Sequence, residues 1–149
     1  MSPSLEQLRN RLSAVKAFSF TAASGHGSRM NWNGESQGTV ESTIEENSIS
    51  FLETGIFTPA NSGKHLKQRN IYRWEFKDYG VNVYQERRDD PVFLVKLIWE
   101  NGLWITEEAH LCVRDLYSLS LIDSKDFIQA EWKIRGPKKD ETLKYIYTY

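Results

Sequence analysis

At 149 residues the chain has the length of one ordinary domain, enough to bury a real core and too little for a second independent unit of similar size. Its 19 Lys/Arg and 20 Asp/Glu leave a net charge of −1, balanced along the chain, so it lacks the electrostatic footprint of a nucleic-acid or anionic-membrane binder. No stretch approaches the roughly 20 apolar residues that span a bilayer, and the single cysteine, Cys112, excludes an internal disulfide and any zinc site built on two or more cysteines.

The opening residues Ser2, Pro3 and Ser4 are polar, unlike a charged start followed by an apolar run, and a cytosolic location is the simplest expectation. A helix is predicted over 3–16, because Leu5, Leu8, Leu12 and Val15 recur at spacings of three and four and form one stripe. Ser4 and Gln7 have the spacing of a capping box, with Pro3 at the helix start. The apolar stripe should lie against the remainder of the domain and could close one end of it.

From residue 17 onward the period changes to two and turn residues follow at short intervals, the pattern of meandering antiparallel strands. About ten strands are predicted across 17–149. The first runs through Phe18, Phe20 and Ala22, and could continue past a bend at Gly25 and Gly27 towards Met30. Asn33-Gly34 reads as a tight turn, since both residues tolerate positive φ. Residues 35–46 and 48–57 form a hairpin around Asn47. A looser connection over 58–63 leads to a strand over 65–77, where Tyr72, Trp74 and Phe76 alternate with Arg73, Glu75 and Lys77. Turns at Asp78-Tyr79-Gly80, Arg88-Asp89-Asp90 and Glu100-Asn101-Gly102 separate strands over 81–87, 91–99 and 103–114. Strands over 115–122, 126–135 and 142–149 complete the set.

Pro59, Pro91 and Pro137 all fall in loops or at strand edges, where no ladder hydrogen bond is lost. The 19 aromatic residues (5 Trp, 7 Tyr, 7 Phe) suit pleated surfaces. Strands of this number with short connections fit a sandwich or a closed barrel, and the barrel is favoured because closure removes sheet edges. A mainly β, about ten-stranded barrel behind one N-terminal helix is therefore expected. Such a barrel need not be filled by its own side chains and could hold a ligand.

The candidate chemistry lies mainly on the 103–114 strand. Alternation puts Trp104, Thr106, Glu108, His110, Cys112 and Arg114 on one face and Ile105, Ala109, Leu111 and Val113 on the other. Hydrophobicity alone points the second face inward, whereas a wet cavity reverses the order. His110 and Cys112 could supply two metal ligands, or His110 could serve as a general base beside Glu108. The plainer reading is a solvated face or a satisfied polar network. Tyr72, Trp74, Trp99, Trp104 and Trp132 could line an apolar pocket, or simply form core. Lys67, Arg69, Arg73 and Lys77 read as a solvated strand face. Gly25-His26-Gly27 lacks the setting of a phosphate loop, and no nucleophile elbow, P-loop or His-Glu-x-x-His occurs.

Two segments, His110-Leu111-Cys112-Val113-Arg114-Asp115-Leu116-Tyr117 and Trp132-Lys133-Ile134-Arg135-Gly136-Pro137-Lys138-Lys139-Asp140, resemble the signature of a family of small uncharacterised proteins. Its pattern is H-x-C-x-x-D-x-Y followed by W-x-V-x-G-P-x-K-D and a tyrosine-rich final strand. The resemblance implies a lipocalin-like or calycin-like barrel and, by analogy, a carrier or sensor of a small apolar molecule. The Gly-x-Trp that opens true lipocalins has no counterpart around Phe18 and Phe20. The final strand, Tyr145-Ile146-Tyr147-Thr148-Tyr149, lacks the Arg-x-Tyr of fatty-acid-binding proteins. A bulge between Arg114 and Asp115 would turn His110, Cys112, Asp115 and Tyr117 towards the interior.

The expected function is non-catalytic binding of a small apolar or amphiphilic molecule, with Tyr72, Trp74, Trp104, Glu108, His110, Cys112, Arg114, Tyr117 and Trp132 as candidate site residues. The alternatives are an enzyme using His110 as acid or base, with Glu108, Asp115 and Tyr117 orienting it, a haem- or metal-binding barrel using His110, and a protein-interaction domain without ligand. No cofactor, nucleic-acid partner or membrane span is called for, and oligomeric state is left open.

Overall fold

The period-two alternation becomes eleven antiparallel strands behind one helix in the computed structural model, which describes residues 1–88 and 90–149. Asp89, in the expected turn before residue 91, lies outside the described residues. The elements are α1 (Pro3–Ala14), β1 (Ala17–Ser24), β2 (Gly34–Ile44), β3 (Ser48–Pro59), β4 (Leu66–Lys77), β5 (Gly80–Arg87), β6 (Asp90–Glu100), β7 (Leu103–Thr106), β8 (His110–Cys112), β9 (Asp115–Asp123), β10 (Ile128–Arg135) and β11 (Asp140–Thr148). Strands β1 to β7 pair in sequence, β7 pairs with β9, and β9, β10 and β11 lead back to β1. The sheet thus closes as a ten-stranded antiparallel barrel. Strand β8 is an eleventh, attached to β9 alone.

Two departures from the expected boundaries have local causes. The helix is capped by Ser2 rather than Ser4: the Ser2 hydroxyl accepts from the Leu5 N–H at 3.2 Å, with Pro3 at the first helical position, where its missing N–H costs nothing. Asn33-Gly34 is not a two-residue turn. Residues 25–33 form a longer loop, and the Asn33 side chain accepts from the Ser24 N–H at 2.9 Å.

The expected 103–114 strand is broken at 107–109. The Thr106 hydroxyl accepts from the Leu119 N–H at 2.6 Å and donates to the Leu119 carbonyl at 2.8 Å, taking the place of a ladder partner where the strand ends. After the break, β8 and β9 form a hairpin over a two-residue turn, with Val113 at φ 61°. It is this turn, and not a bulge at Arg114–Asp115, that sets the register His110↔Tyr117 and Cys112↔Asp115. A bulge does occur elsewhere. Between β5 and β6 the register shifts at Val83/Tyr84, which turns the successive residues Leu94 and Val95 both into the barrel.

Backbones approach closely at Gly38 and Gly55, which face each other across β2 and β3. A Cβ on Gly55 would lie 2.9 Å from the Phe18 ring and closer still to the Gln37 carbonyl.

The helix plugs the end of the barrel that carries the β2–β3 and β9–β10 turns. Leu5, Leu8, Leu12 and Val15 are buried in one cluster with Ile49, Phe51, Trp74, Leu97 and Tyr147. Its flanks are tied by the Arg9 guanidinium, which donates to the Glu45 carbonyl at 3.0 Å, and by Arg11, which pairs with Asp123 at 3.0 Å. Among the described residues no helix is long and apolar enough to cross a membrane.

Because the plug holds by packing, Leu8→Ala, at a fully buried position, should lower unfolding free energy in urea by about 2 to 5 kcal/mol. Ile44→Ala, on the exterior, should cost about 0.5 kcal/mol.

Candidate functional site

The end of the barrel opposite the helix is not filled. A cavity of about 690 Å³ lies there, within the size range of small-molecule sites. Inward alternation on each strand builds its wall: Phe20 and Ala22 from β1, Phe57 from β3, Gln68, Asn70 and Tyr72 from β4, and Gln85 and Arg87 from β5. Leu94 enters from the β6 bulge, Tyr117 from β9, Trp132 and Ile134 from β10, and Leu143 and Tyr145 from β11.

The aromatic members form a continuous surface. Tyr72 and Trp132 stack with ring centroids 5.8 Å apart, Tyr117 meets Trp132 edge-on at 6.5 Å, and Phe20 lies 4.7 Å from Tyr145. Beside these lies a polar pair, with Gln85 opposite Tyr72 in the β4–β5 register and Arg87 next along the same face. The Arg87 Nε donates to Gln85 Oε1 at 2.8 Å, and its Nη2 donates to the Tyr117 hydroxyl oxygen at 3.1 Å.

Beneath the floor sits a buried carboxyl. Glu53 is fully inaccessible and accepts hydrogen bonds from the hydroxyls of Tyr145 at 3.1 Å and Tyr147 at 2.5 Å. Burial pushes its pKa up from 4.5 to about 7, although the two tyrosine hydrogen bonds work in the opposite direction. Burial, with the Glu53 charge adding to it, likewise raises the pKa of Tyr72 and Tyr147. The tyrosines therefore remain protonated donors at neutral pH.

The mouth is shaped by the 25–33 loop. Glu141, also fully buried, accepts from the Ser24 and Ser28 hydroxyls at 2.5 and 2.6 Å, and the Gly25 N–H donates to the Asp140 carbonyl at 2.7 Å. So tethered, the loop brings Asn31 and Trp32 to the rim. Lys139 sits over the Trp32 ring at 5.7 Å and pairs with Asp115 at 3.1 Å.

A family profile matches residues 21–149, which leaves out only α1 and the start of β1. The chain belongs to DUF6314. That is a family of unknown function. Neither a curated protein nor a solved structure matches the chain.

Within this DUF6314 barrel the sequence-predicted residues separate into three groups. Tyr72, Tyr117 and Trp132 line the cavity. Trp74 and Trp104 are buried nearer the helix, where Trp74 meets Phe51 at 5.6 Å and Trp104 meets Trp99 at 5.2 Å, and neither lines the cavity. The remaining four belong to the β7–β8 region outside it. Glu108 and Arg114 are exposed. His110 is half-buried with its ring edge-on to Phe93 at 4.7 Å, and Cys112 packs against the core. Leu111 and Val113, the face that hydrophobicity alone directs inward, are 59% and 89% exposed. Among the described residues no three His, Cys, Asp or Glu side chains are grouped to hold a metal ion.

Sequence reasoning missed Arg87, Gln85, Trp32 and Glu53. For Trp32 a signal was present: a tryptophan set among Asn31, Asn33 and several glycines and serines has no core to enter, and it is 39% exposed at the rim.

Glu53 carries a pH dependence whose sign is fixed by burial. Its pKa is higher folded than unfolded, so its contribution to stability is full below 4.5 and is lost as pH rises through about 7, an effect of roughly 3 kcal/mol. Glu53→Gln should remove that slope and be the more stable form at pH 8. Urea unfolding of both proteins between pH 4.5 and 8 checks this, and a difference between them that is flat with pH contradicts it.

Proposed function

We propose that the protein is a non-catalytic β-barrel that binds one small apolar or amphiphilic molecule in the cavity at its open end, acting as a carrier or sensor. The observation that carries this reading is the cavity itself: about 690 Å³ of space walled by Phe20, Phe57, Tyr72, Trp132 and Tyr145 and edged by a few polar groups. Interiors are normally packed to crystal-like density, so an unfilled volume of this size beside a densely packed half calls for an occupant. A lipocalin-like mode of use, with the molecule entering at the open end, follows by analogy of architecture.

The position of His110 favours binding over catalysis. It lies against Phe93 outside the cavity lining, so an acid or base there would be separated from a molecule held between Tyr72 and Trp132.

The test uses N-phenyl-1-naphthylamine, a neutral apolar fluorophore. It should bind with one-to-one stoichiometry and accept energy from tryptophan, since Trp132 lines the wall. Leu143→Trp, which adds bulk at the lining, should weaken binding at least about tenfold while the melting temperature stays near that of the wild type. Absence of binding, or binding indifferent to the residue at 143, contradicts the proposal.

A further inference from the structure

We infer that the molecule held in the cavity is an organic anion, and that Arg87 and Tyr117 together receive its charged group; the inference rests on the reading of the cavity as a ligand site. The charge of the lining is one-sided. The chain as a whole carries −1, yet among the described residues the cavity lining includes Arg87, Lys67 and Lys139 and no Asp or Glu.

The three cations differ in availability. Lys139 is engaged by Asp115 at the rim, and the Lys67 side chain belongs to an exposed residue at the edge of β4. Arg87 is half-buried in the wall; Asp90 stands opposite it in the β5–β6 register, but among the described residues no carboxylate lies within ion-pair distance of its guanidinium. Its recorded partners are neutral oxygens: Gln85 Oε1 on Nε and the Tyr117 hydroxyl on Nη2. A guanidinium has five N–H donors, so three remain.

A cation partly withdrawn from water with no ion-pair partner among the described residues is costly, and an anion entering the cavity offsets that cost. The geometry also supplies a second donor. Because the Tyr117 hydroxyl oxygen already accepts from Arg87, its own proton is free to donate outward, to the same anion that the remaining guanidinium N–H groups reach. The planar fork of arginine suits a carboxylate or sulfonate. The apolar body would then lie on the Tyr72–Trp132 stack.

A charge-matched pair of probes tests this on the whole purified chain. 8-Anilinonaphthalene-1-sulfonate has the body of N-phenyl-1-naphthylamine plus one sulfonate. The wild type should prefer the sulfonate by about tenfold or more, the scale of one charge-assisted hydrogen bond. Arg87→Met should abolish that preference, so that the two probes bind alike, whereas Lys139→Met should preserve it. Tyr117→Phe should lower the preference for the sulfonate, which keeps the inference testable if Arg87→Met does not fold. Equal binding of both probes by the wild type overturns the anion while leaving the cavity as a ligand site. A preference lost with Lys139 but kept without Arg87 overturns the assignment, as does an Arg87→Met variant that weakens both probes alike. If neither probe binds, the ligand site itself fails, and the anion with it.

Discussion

Closing ten strands into one ring encloses more space than their inward side chains fill unaided, and the rest of this structure follows from how that space is divided. At one end the apolar stripe of α1 supplies the missing volume, with Leu5, Leu8 and Leu12 packed among Ile49, Phe51 and Trp74. At the other end no such element arrives, and the cavity remains. Ring closure also gives each of the ten strands two neighbours, while β8 pairs with β9 alone and keeps a free edge. Shortness is what limits that edge, since β8 spans three residues.

The boundary between the two halves is polar. Glu53 stands on the inward face of β3, two residues beyond Phe51, and in a fully apolar interior its carboxyl would be destabilising. Tyr145 and Tyr147, successive inward residues of β11, satisfy both of its oxygens. Their rings meanwhile continue the aromatic packing, with Tyr147 edge-on to Phe51 at 5.3 Å and Tyr145 against Phe20. One tyrosine thus faces the cavity and the other faces the core, and the carboxyl holds the two hydroxyls in place. Glu141 does similar work at the rim, where its bonds to Ser24 and Ser28 fix a loop that has little apolar surface of its own.

Much of this architecture was legible in the sequence because it depends on periodicity. The 3.6-residue stripe of Leu5, Leu8 and Leu12 and the alternation of Tyr72, Trp74 and Phe76 are properties of residues close in the chain. Three features were not legible, each for a reason tied to distant contacts. The break at 107–109 depends on Thr106 bonding to Leu119, which no local pattern announces. The β5–β6 bulge that sends both Leu94 and Val95 inward looks, in sequence, like an ordinary apolar run. The inward placement of Glu53 and Arg87 goes against their composition, and it depends on partners far along the chain, Tyr145 and Tyr147 for Glu53 and Tyr117, beside the nearby Gln85, for Arg87. Trp74 and Trp104, two of the residues expected to line a pocket, have the right residue type but lie deeper: both are on inward faces, at the helix end rather than the open one.

Depth can nevertheless be followed along a single inward face. On β4 that face changes from Gln68 and Asn70 to Tyr72, Trp74 and Phe76, and on β5 from Val81 and Val83 to Gln85 and Arg87. The strands run in opposite directions, so the two changes coincide in space: Tyr72 pairs with Gln85, and Trp74 pairs with Val83. Burial follows the same division, with Trp74, Val81 and Val83 inaccessible and Gln68, Asn70 and Gln85 only partly covered. A face that reached only packed core would have no use for amide and guanidinium groups in its outer half, since each would have to be satisfied at the expense of apolar contact. An inward face that turns polar partway along two paired strands therefore marks the level at which the core ends and the cavity begins, and here that level is set by Tyr72 and Gln85.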